Sequence, residues 1–155
     1  MKKLNNVKIF LTDCDGVLTD GGMYYFNSGD EAKKFNTRDG MGFKILKSKN
    51  ILTGIITGEK NSIVDNRAKK LKVDILYMGV EDKLKVLEEI CNTYNVTYDQ
   101  IVYVGDDIND LPIIKTIKNS FAPVDAHVSV CESVSYVCST HGGDGVIREI
   151  VDQFF

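Results

Sequence analysis

The sequence "IFLTDCDGVLTDGG" (residues 9–22) places two aspartates directly after a short apolar run. Residues 9–11 are apolar and β-prone and are bounded by polar residues, which predicts a short buried strand. Asp13 and Asp15 therefore lie where this strand ends. Two interpretations stay open at this point: the acids form a turn together with the glycine that follows, or they are functional groups at the edge of a sheet.

Length and composition predict one soluble domain over residues 1–155. Of these residues 43% are hydrophobic, the net charge is −3, and the basic residues are scattered among acids. A chain of this size buries a core of its own, and without a concentrated basic face it is not expected to bind nucleic acid. No apolar run approaches the length of a signal peptide or a membrane span, which predicts a cytoplasmic protein without a membrane partner.

Further short apolar runs follow the first one, and segments of helical period separate most of them. These runs are residues 51–57, 73–79, 101–105, 119–123 and 135–138. The alternation of strands and helices predicts an α/β fold with a mostly parallel sheet flanked by helices. One segment breaks the alternation, because two extended stretches flank a turn sequence at residues 27–30. This pattern predicts a β-hairpin inserted after the first strand, at about residues 22–37.

Side chains capable of chemistry follow several of the predicted strands. In parallel α/β sheets ligands bind at the carboxyl ends of the strands, so these side chains are expected to converge on one crevice. Along the chain they belong to Asp13 and Asp15, Thr57, Lys83, and Asp106, Asp107 and Asp110, and Gly58 beside Thr57 contributes its backbone. Each alone has a structural explanation as a turn former, a helix cap or a solvated lysine. Their order together predicts a functional site.

A cluster of carboxylates predicts a bound cation. Two carboxylates about 4 Å apart repel each other by roughly 4 kcal/mol at an effective dielectric constant near 20. Oxygen ligands without paired histidine or cysteine favour Mg²⁺, which keeps some of its waters and binds phosphate substrates. The sequence therefore predicts a magnesium-dependent reaction of a phosphate ester.

Each role in such a reaction has a candidate residue. Asp13 is predicted to attack phosphorus and form an aspartyl phosphate, which divides the hydrolysis into two easier steps. Asp15 is expected to protonate the leaving oxygen and later to accept a proton from water. Thr57 and nearby backbone amides would bind phosphate oxygens, and Lys83 would neutralise the charge shared by the phosphate and Asp13.

The segments "DCDGVLTD", "ITGEK" and "GDDIND", together with Lys83, resemble the four motifs of the haloacid dehalogenase superfamily of phosphatases. The hairpin position and the segments "KKFNTRDGMG", "YMGVEDKL", "VGDDINDLPII" and "GGDGVIREI" are similar to small phosphatases of 3-deoxy-2-ulosonic acid phosphates. Those enzymes act on 3-deoxy-D-manno-octulosonate 8-phosphate or on 2-keto-3-deoxynononate 9-phosphate. The resemblance spans the chain and implies a Rossmann-like fold of this superfamily.

The resemblance also implies a ligand set and an assembly. The implied Mg²⁺ ligands are Asp13, the backbone carbonyl of Asp15, and Asp106, with Asp107 and Asp110 as outer or water-mediated partners. The implied assembly is a homotetramer in which the hairpins meet centrally and adjacent chains complete each active site. Residues 23–26 form an apolar run on the predicted hairpin, which fits a contact surface.

An acidic sugar phosphate as substrate would bring a carboxylate, so its site needs a second cation away from the metal. Arg67 and Lys70 are the candidates, on the helix that follows Thr57 and Gly58; the alternative is that they only solvate an exposed helix face. Glu59 would accept hydrogen bonds from sugar hydroxyls and disfavour a nearby substrate carboxylate. The octulosonate phosphatases resemble one another in having arginine after Thr-Gly, whereas "TGEK" resembles the nononate type. The nine-carbon substrate is therefore favoured over the eight-carbon one.

Two other classes of protein share some of these features. A two-component receiver domain also handles phosphate with clustered aspartates, a threonine and a lysine, but the third predicted strand here ends in "LYMG" without the expected phosphoacceptor. The alternative from a structural class is a non-catalytic oligomerisation module, similar to the C-terminal domain of sialic acid cytidylyltransferases. Against it, every catalytic position of this chain carries the expected residue.

Overall fold

The structure, a computed structural model, describes residues 3–155, and within them the chain forms eight β-strands and six α-helices. The strands are Ile9–Thr12 (β1), Tyr24–Tyr25 (β2), Glu31–Ala32 (β3), Leu52–Thr57 (β4), Ile75–Met78 (β5), Ile101–Val104 (β6), Asn119–Ala122 (β7) and Tyr136–Val137 (β8). The helices are Thr37–Ser48 (α1), Ser62–Leu71 (α2), Lys83–Tyr94 (α3), Leu111–Thr116 (α4), Val128–Cys131 (α5) and Val146–Phe154 (α6).

Six of the strands form a parallel sheet in the order β5-β4-β1-β6-β7-β8. β1 is central and pairs with β4 on one side and β6 on the other. β1 and β6 are buried along their whole length, as expected for strands covered on both faces. The chain winds outward from β1 through β4 to β5 and then returns to β6, and such a reversal opens a crevice at the carboxyl ends of the strands. The predicted α/β fold with a parallel sheet is confirmed.

Helices cover both faces of the sheet, with α1, α2 and α6 packed on one face and α3, α4 and α5 on the other. The sequence of α6 shows why it docks. Its buried residues recur at helical spacing and form one apolar face; they are Val146, Ile147, Ile150, Val151 and Phe154.

Asp39 on α1 joins two of these helices. Its carboxylate is buried, and Oδ1 accepts a hydrogen bond of 2.9 Å from the backbone N–H of Ile147. This amide lies in the first turn of α6, where backbone donors lack partners within the helix. Burial raises the pKa of Asp39 to about 6, although hydrogen bonds from the amides of Ile147 and Arg148 act in the opposite direction.

Polar caps start the helices that follow β4 and β5. The side chain of Asn61 accepts a hydrogen bond from the backbone N–H of Val64 at the start of α2. The side chain of Asp82 accepts one from Lys85 at the start of α3. Asn and Asp are favoured at such positions because they satisfy free amide groups. The two loops between strand and helix, residues 58–61 and 79–82, are short, and both lie at the carboxyl edge of the sheet.

A β-hairpin follows β1, as the sequence predicts. β2 and β3 are antiparallel, with Tyr24 opposite Ala32. An isolated bridge between Thr19 and Phe35 closes the base of the hairpin directly after β1. The hairpin is thus attached to the chain next to the first two aspartates. Among the helices within residues 3–155, none combines the length and apolar character that crossing a membrane requires.

Candidate active site

A cavity of about 320 Å³ opens at the carboxyl ends of β1, β4 and β6. Its lining comes from the loops after these strands and from the hairpin, and consists of Asp13, Asp15, Gly16, Gly21, Met23, Thr57, Gly58, Glu59, Asp106, Asp107 and Asn109. Seven of the predicted residues therefore meet in one place. Four further residues complete the lining: Gly16 and Gly21 from residues 9–22, Met23 from the apolar hairpin and Asn109 from the "GDDIND" run.

Asp13 lies at the end of the central strand and is buried. Its backbone N–H donates to the carbonyl of Val104 at 2.9 Å, which continues the hydrogen bonding between β1 and β6. Its Oδ1 accepts a hydrogen bond of 2.7 Å from the backbone N–H of Cys14. Burial and the negative charge of Asp110 raise the pKa of Asp13 to about 7, while Lys83 acts in the opposite direction.

Lys83 contacts Asp13 from within the protein. It is the first residue of α3, and its Nζ lies 3.0 Å from Oδ1 of Asp13 and 2.7 Å from Oδ1 of Asp110. Burial lowers the pKa of Lys83, but the charges of the two carboxylates more than offset this effect, so the pKa is raised above its ordinary value. The lysine is therefore a permanent positive charge beneath Asp13, the position that the sequence predicts.

Asp110 is a buried acceptor of four hydrogen bonds. Its Oδ1 accepts from Nζ of Lys83 at 2.7 Å and from the hydroxyl of Tyr103 at 2.5 Å. Its Oδ2 accepts from the backbone N–H groups of Asp106 and Asp107 at 2.9 and 3.2 Å. Because both oxygens are already occupied, Asp110 orients the lysine and the loop after β6. The role of Tyr103 was missed, since its side chain sits in an apolar strand and nothing in the sequence distinguishes it from core.

Two acids of the cavity, Asp13 and Asp106, and the buried Asp110 beside them form a group that fits a divalent cation. One oxygen from each of Asp13, Asp106 and Asp110 lies within 4.8 Å of the others. Oδ1 of Asp106 is buried without a hydrogen-bond partner from residues 3–155. Burial and the charge of Asp13 raise the pKa of Asp106 to about 8, with further contributions from its acidic neighbours. An oxygen-only set with one unpartnered oxygen suits Mg²⁺, and Asp13 and Asp106 are the residues best placed to hold it.

Gly16 explains why a glycine follows the two aspartates. Its φ is +83°, a conformation that glycine adopts without strain. A Cβ atom at this position would lie 1.9 Å from Oδ2 of Asp106. The glycine therefore serves both the turn and the close approach of Asp106, so the turn interpretation and the functional interpretation of this segment hold together.

Asp15 is held by groups at the base of the hairpin. Its Oδ1 accepts hydrogen bonds from Oγ1 of Thr19 at 3.1 Å and from Nζ of Lys33 at 2.7 Å. The same ammonium lies 2.8 Å from Oε2 of Glu59. Lys33 was missed by sequence reasoning. The available signal is the spacing of two residues between Lys33 and Phe35. Side chains at this spacing in an extended chain share a face, and Phe35 packs on the core.

Thr57 and Glu59 occupy the loop after β4. Thr57 is buried at the end of the strand, and its Oγ1 accepts a hydrogen bond of 3.3 Å from the backbone N–H of Glu59. Oε2 of Glu59 accepts a hydrogen bond of 2.7 Å from the side chain of Asn61, which in turn caps α2. Hydrogen bonds from its own side chains thus stabilise the conformation of this loop.

Arg67 and Lys70 do not line the cavity of Asp13. They line a second cavity of about 420 Å³ between α1 and α2. Nη2 of Arg67 donates a hydrogen bond of 2.7 Å to the carbonyl of Asn36, and its guanidinium lies over the ring of Phe35 at 5.1 Å. These contacts keep Arg67 away from the acidic cluster of its own chain. Its predicted contact with substrate, and that of Lys70, stays a prediction.

A parallel α/β sheet with aspartates after its first strand, a threonine, a buried lysine and further aspartates at its carboxyl edge is the arrangement of the haloacid dehalogenase-like hydrolases. The family model with that description matches residues 79–150. The 3-deoxy-D-manno-octulosonate 8-phosphate phosphatase of Haemophilus influenzae is 38% identical over 98% of this chain and 84% of its own length.

Solved structures of the same kind of phosphatase also match this chain. The Moraxella catarrhalis 3-deoxy-D-manno-octulosonate 8-phosphate phosphatase, in complex with a magnesium ion, a phosphate ion and a KDO molecule, matches with a TM-score of 0.93 at 31% identity. The alignment covers 96% of this chain and 86% of that one. The cobalt-bound Haemophilus influenzae enzyme matches with a TM-score of 0.92 at 38% identity, over 97% of this chain and 88% of that one.

The chain belongs to the family of the 3-deoxy-D-manno-octulosonate 8-phosphate phosphatases and is a phosphoric monoester hydrolase. The predicted resemblance is confirmed. The predicted Mg²⁺ cofactor is supported by the metal ions in these relatives and by the acidic cluster of this chain.

Proposed function

We propose that this chain hydrolyses the terminal phosphate of a 3-deoxy-2-ulosonic acid phosphate through an aspartyl-phosphate intermediate. The observation that carries this proposal is the contact of 3.0 Å between Asp13 and Lys83, beneath a cavity that also presents Asp15 and Thr57. The substrate class is supported by the relatives, whose names state that they act on such a phosphate.

In the first step a carboxylate oxygen of Asp13 attacks phosphorus. The bond between phosphorus and the bridging sugar oxygen breaks, and that oxygen takes a proton from Asp15 and leaves as a hydroxyl group. The charge of Lys83 favours the ionised form of Asp13 that attacks. The hydroxyl of Thr57 donates a hydrogen bond to a phosphate oxygen.

In the second step the ionised Asp15 accepts a proton from water as the water oxygen attacks phosphorus. The bond between phosphorus and Asp13 breaks, which releases inorganic phosphate and restores both acids to their starting states. A bound Mg²⁺ supplies positive charge against the phosphate oxygens. Asp13 and Asp106 would hold it, together with the backbone carbonyl of Asp15 that the family resemblance implies.

The length of the sugar acid is a separate question, and Glu59 favours the nine-carbon substrate. Glu59 lines the cavity, where its carboxylate accepts hydrogen bonds and repels a second carboxylate. A nononate 9-phosphate has one more hydroxyl-bearing carbon between phosphate and ring than an octulosonate 8-phosphate. That carbon offers Glu59 a hydroxyl and moves the substrate carboxylate further away. Against this preference, the names of the relatives state octulosonate 8-phosphate as their substrate, and the eight-carbon acid is therefore the alternative.

The experiment is a comparison of kcat/KM for the two phosphates. We expect a higher value for 2-keto-3-deoxynononate 9-phosphate, and we expect Glu59→Arg to shift the preference towards the eight-carbon substrate. A value about tenfold higher for octulosonate 8-phosphate in the wild type would overturn the nine-carbon preference and leave the phosphatase assignment in place.

A further inference from the structure

Lys33 is a lysine with an almost fully covered side chain that the mechanism above does not use. It follows β3 at the exit of the hairpin, and its side chain is 1% exposed. Lysine is rarely buried to this extent unless it is paired. Here the ammonium lies between two carboxylates of the cavity, 2.7 Å from Asp15 and 2.8 Å from Glu59.

The contacts of Asp15 are asymmetric. Both hydrogen bonds that Asp15 accepts from residues 3–155 end on Oδ1, one from Lys33 and one from Thr19. Thr19 and Phe35 form the bridge at the base of the hairpin, and Lys33 is two residues from Phe35, so both donors come from the base of the hairpin. Oδ2 stays available to carry the proton that the leaving oxygen takes.

The neighbouring lysine shows that this placement is specific. Lys34 is 54% exposed and lies 3.5 and 3.6 Å from Asp20 and Asp144, neither of which lines the cavity. Surface pairs of this kind contribute little. Two consecutive lysines thus differ both in exposure and in the carboxylates that they contact.

We propose that Lys33 is a positioning residue that holds Asp15 in the orientation needed for proton transfer, and so couples the hairpin to the reaction. The role rests on the proposed function, because Asp15 must be the general acid. The ammonium donates to Oδ1 and fixes the carboxyl group, while Oδ2 faces the leaving oxygen. Short charge-assisted hydrogen bonds of this type fix geometry as well as charge.

This role has a distinctive chemical consequence. A sugar alkoxide is strongly basic and must be protonated as it leaves, whereas 4-nitrophenolate is weakly basic and leaves with little help. The second step, in which Asp15 acts as a base, is common to both substrates, whereas kcat/KM reports only the steps up to release of the leaving group. Disturbing the orientation of Asp15 therefore lowers kcat/KM for the sugar phosphate and leaves kcat/KM for 4-nitrophenyl phosphate nearly unchanged. A general loss of structure would slow both reactions alike.

The test compares Lys33→Met with the matched control Lys34→Met on both substrates, at saturating Mg²⁺. For Lys33→Met we expect kcat/KM on the ulosonate phosphate to fall by about 10²-fold, the size of loss that a misplacement of about 1 Å causes. On 4-nitrophenyl phosphate we expect a change of only a few-fold, and Lys34→Met is expected to match the wild type on both. Should Lys33→Met fail to fold, as judged by circular dichroism, Lys33→Gln takes its place and must show the same selective loss.

Three outcomes overturn the role: equal losses of kcat/KM on both substrates, no loss on either, or an unchanged single-turnover rate of ulosonate phosphate cleavage at saturating substrate, which would make Lys33 a substrate-binding residue. Failure of the proposed function has a different signature, namely a wild type that hydrolyses no ulosonate phosphate. In that case the loss caused by Lys33→Met is measured on a primary alkyl phosphate that the wild type does hydrolyse and is compared with the loss on 4-nitrophenyl phosphate.

Discussion

Nζ of Lys83 lies between the carboxylates of Asp13 and Asp110, 3.0 Å from one and 2.7 Å from the other, with its side chain 1% exposed. Together with Asp106 the group contains three carboxylates and one ammonium, which leaves two negative charges when all are ionised. Buried charges that are not neutralised are costly. A divalent cation would neutralise these two negative charges, whereas Lys83 alone leaves them in place.

Replacing the two aspartates after β1 is expected to separate their roles. Asp13→Asn removes the nucleophile and should abolish phosphate release. Asp15→Asn lacks the transferable proton and should lose about 10²–10⁴ in rate on a sugar phosphate. Asp152→Asn on α6, where Asp152 pairs with Arg148 at the surface, is the control and should match the wild type. Wild-type turnover in both active-site variants would show that the mechanism is wrong.

Asp106→Ala is expected to weaken the use of metal. The substitution removes a buried oxygen that has no hydrogen-bond partner within residues 3–155 and that is available to a cation. The measurement is a Mg²⁺ titration of phosphate release, in which the half-saturating concentration should rise. An unchanged titration would remove Asp106 from the metal site.

Asp39 predicts a pH dependence of stability that is separate from the active site. Its pKa is about 6 in the folded protein, above the ordinary value of 3.8. The folded state therefore binds more protons than the unfolded state between these two values, and the contribution of Asp39 to stability decreases as the pH rises through this window. From pH 4.5 to 7 this decrease amounts to about 2 kcal/mol.

Asp39→Asn tests this sign, because asparagine keeps an acceptor for the amide of Ile147 and does not ionise. Urea unfolding of both proteins at pH 4.5 and 7 should show the variant gaining about 2 kcal/mol relative to the wild type at the higher pH. Other acids titrate in both proteins alike, so the difference isolates Asp39. A difference between the two proteins that does not change with pH would refute the assignment.

The hairpin is expected to form a contact between chains. Four consecutive large side chains on it are exposed in a single chain, by 43, 49, 68 and 57%, and these are Met23, Tyr24, Tyr25 and Phe26. Such a patch is typical of an interaction surface. We expect sedimentation to show a tetramer, and Tyr25→Glu to dissociate it and reduce activity. An active monomer at assay concentration would exclude a shared active site.

Much of the fold could be predicted because it depends on local patterns. Residues 9–11 and the apolar run near residue 101 alternate with helical segments, and this order is enough to predict a parallel sheet. The same rule locates the site, because whatever follows a parallel strand lies at its carboxyl edge. Asp13, Thr57 and Asp106 were found in this way.

The remaining features depend on where side chains point in three dimensions. Arg67 lies on the predicted helix, yet its guanidinium contacts Phe35 and Asn36, residues that are distant in sequence. Lys33 and Lys34 are adjacent in sequence and have opposite environments. Neither periodicity nor composition carries this information, since it arises from packing between elements.

The most direct test of the central claim is the rate of phosphate release from ulosonic acid phosphates, measured with and without Mg²⁺, in the wild type and in Asp13→Asn. Glucose 6-phosphate serves as a sugar phosphate without a carboxylate. The account predicts metal-dependent release from the eight- or nine-carbon acid phosphate, a kcat/KM for glucose 6-phosphate lower by about 10²-fold or more, and no release by Asp13→Asn. Equal activity on glucose 6-phosphate, or turnover that survives in Asp13→Asn, would contradict it.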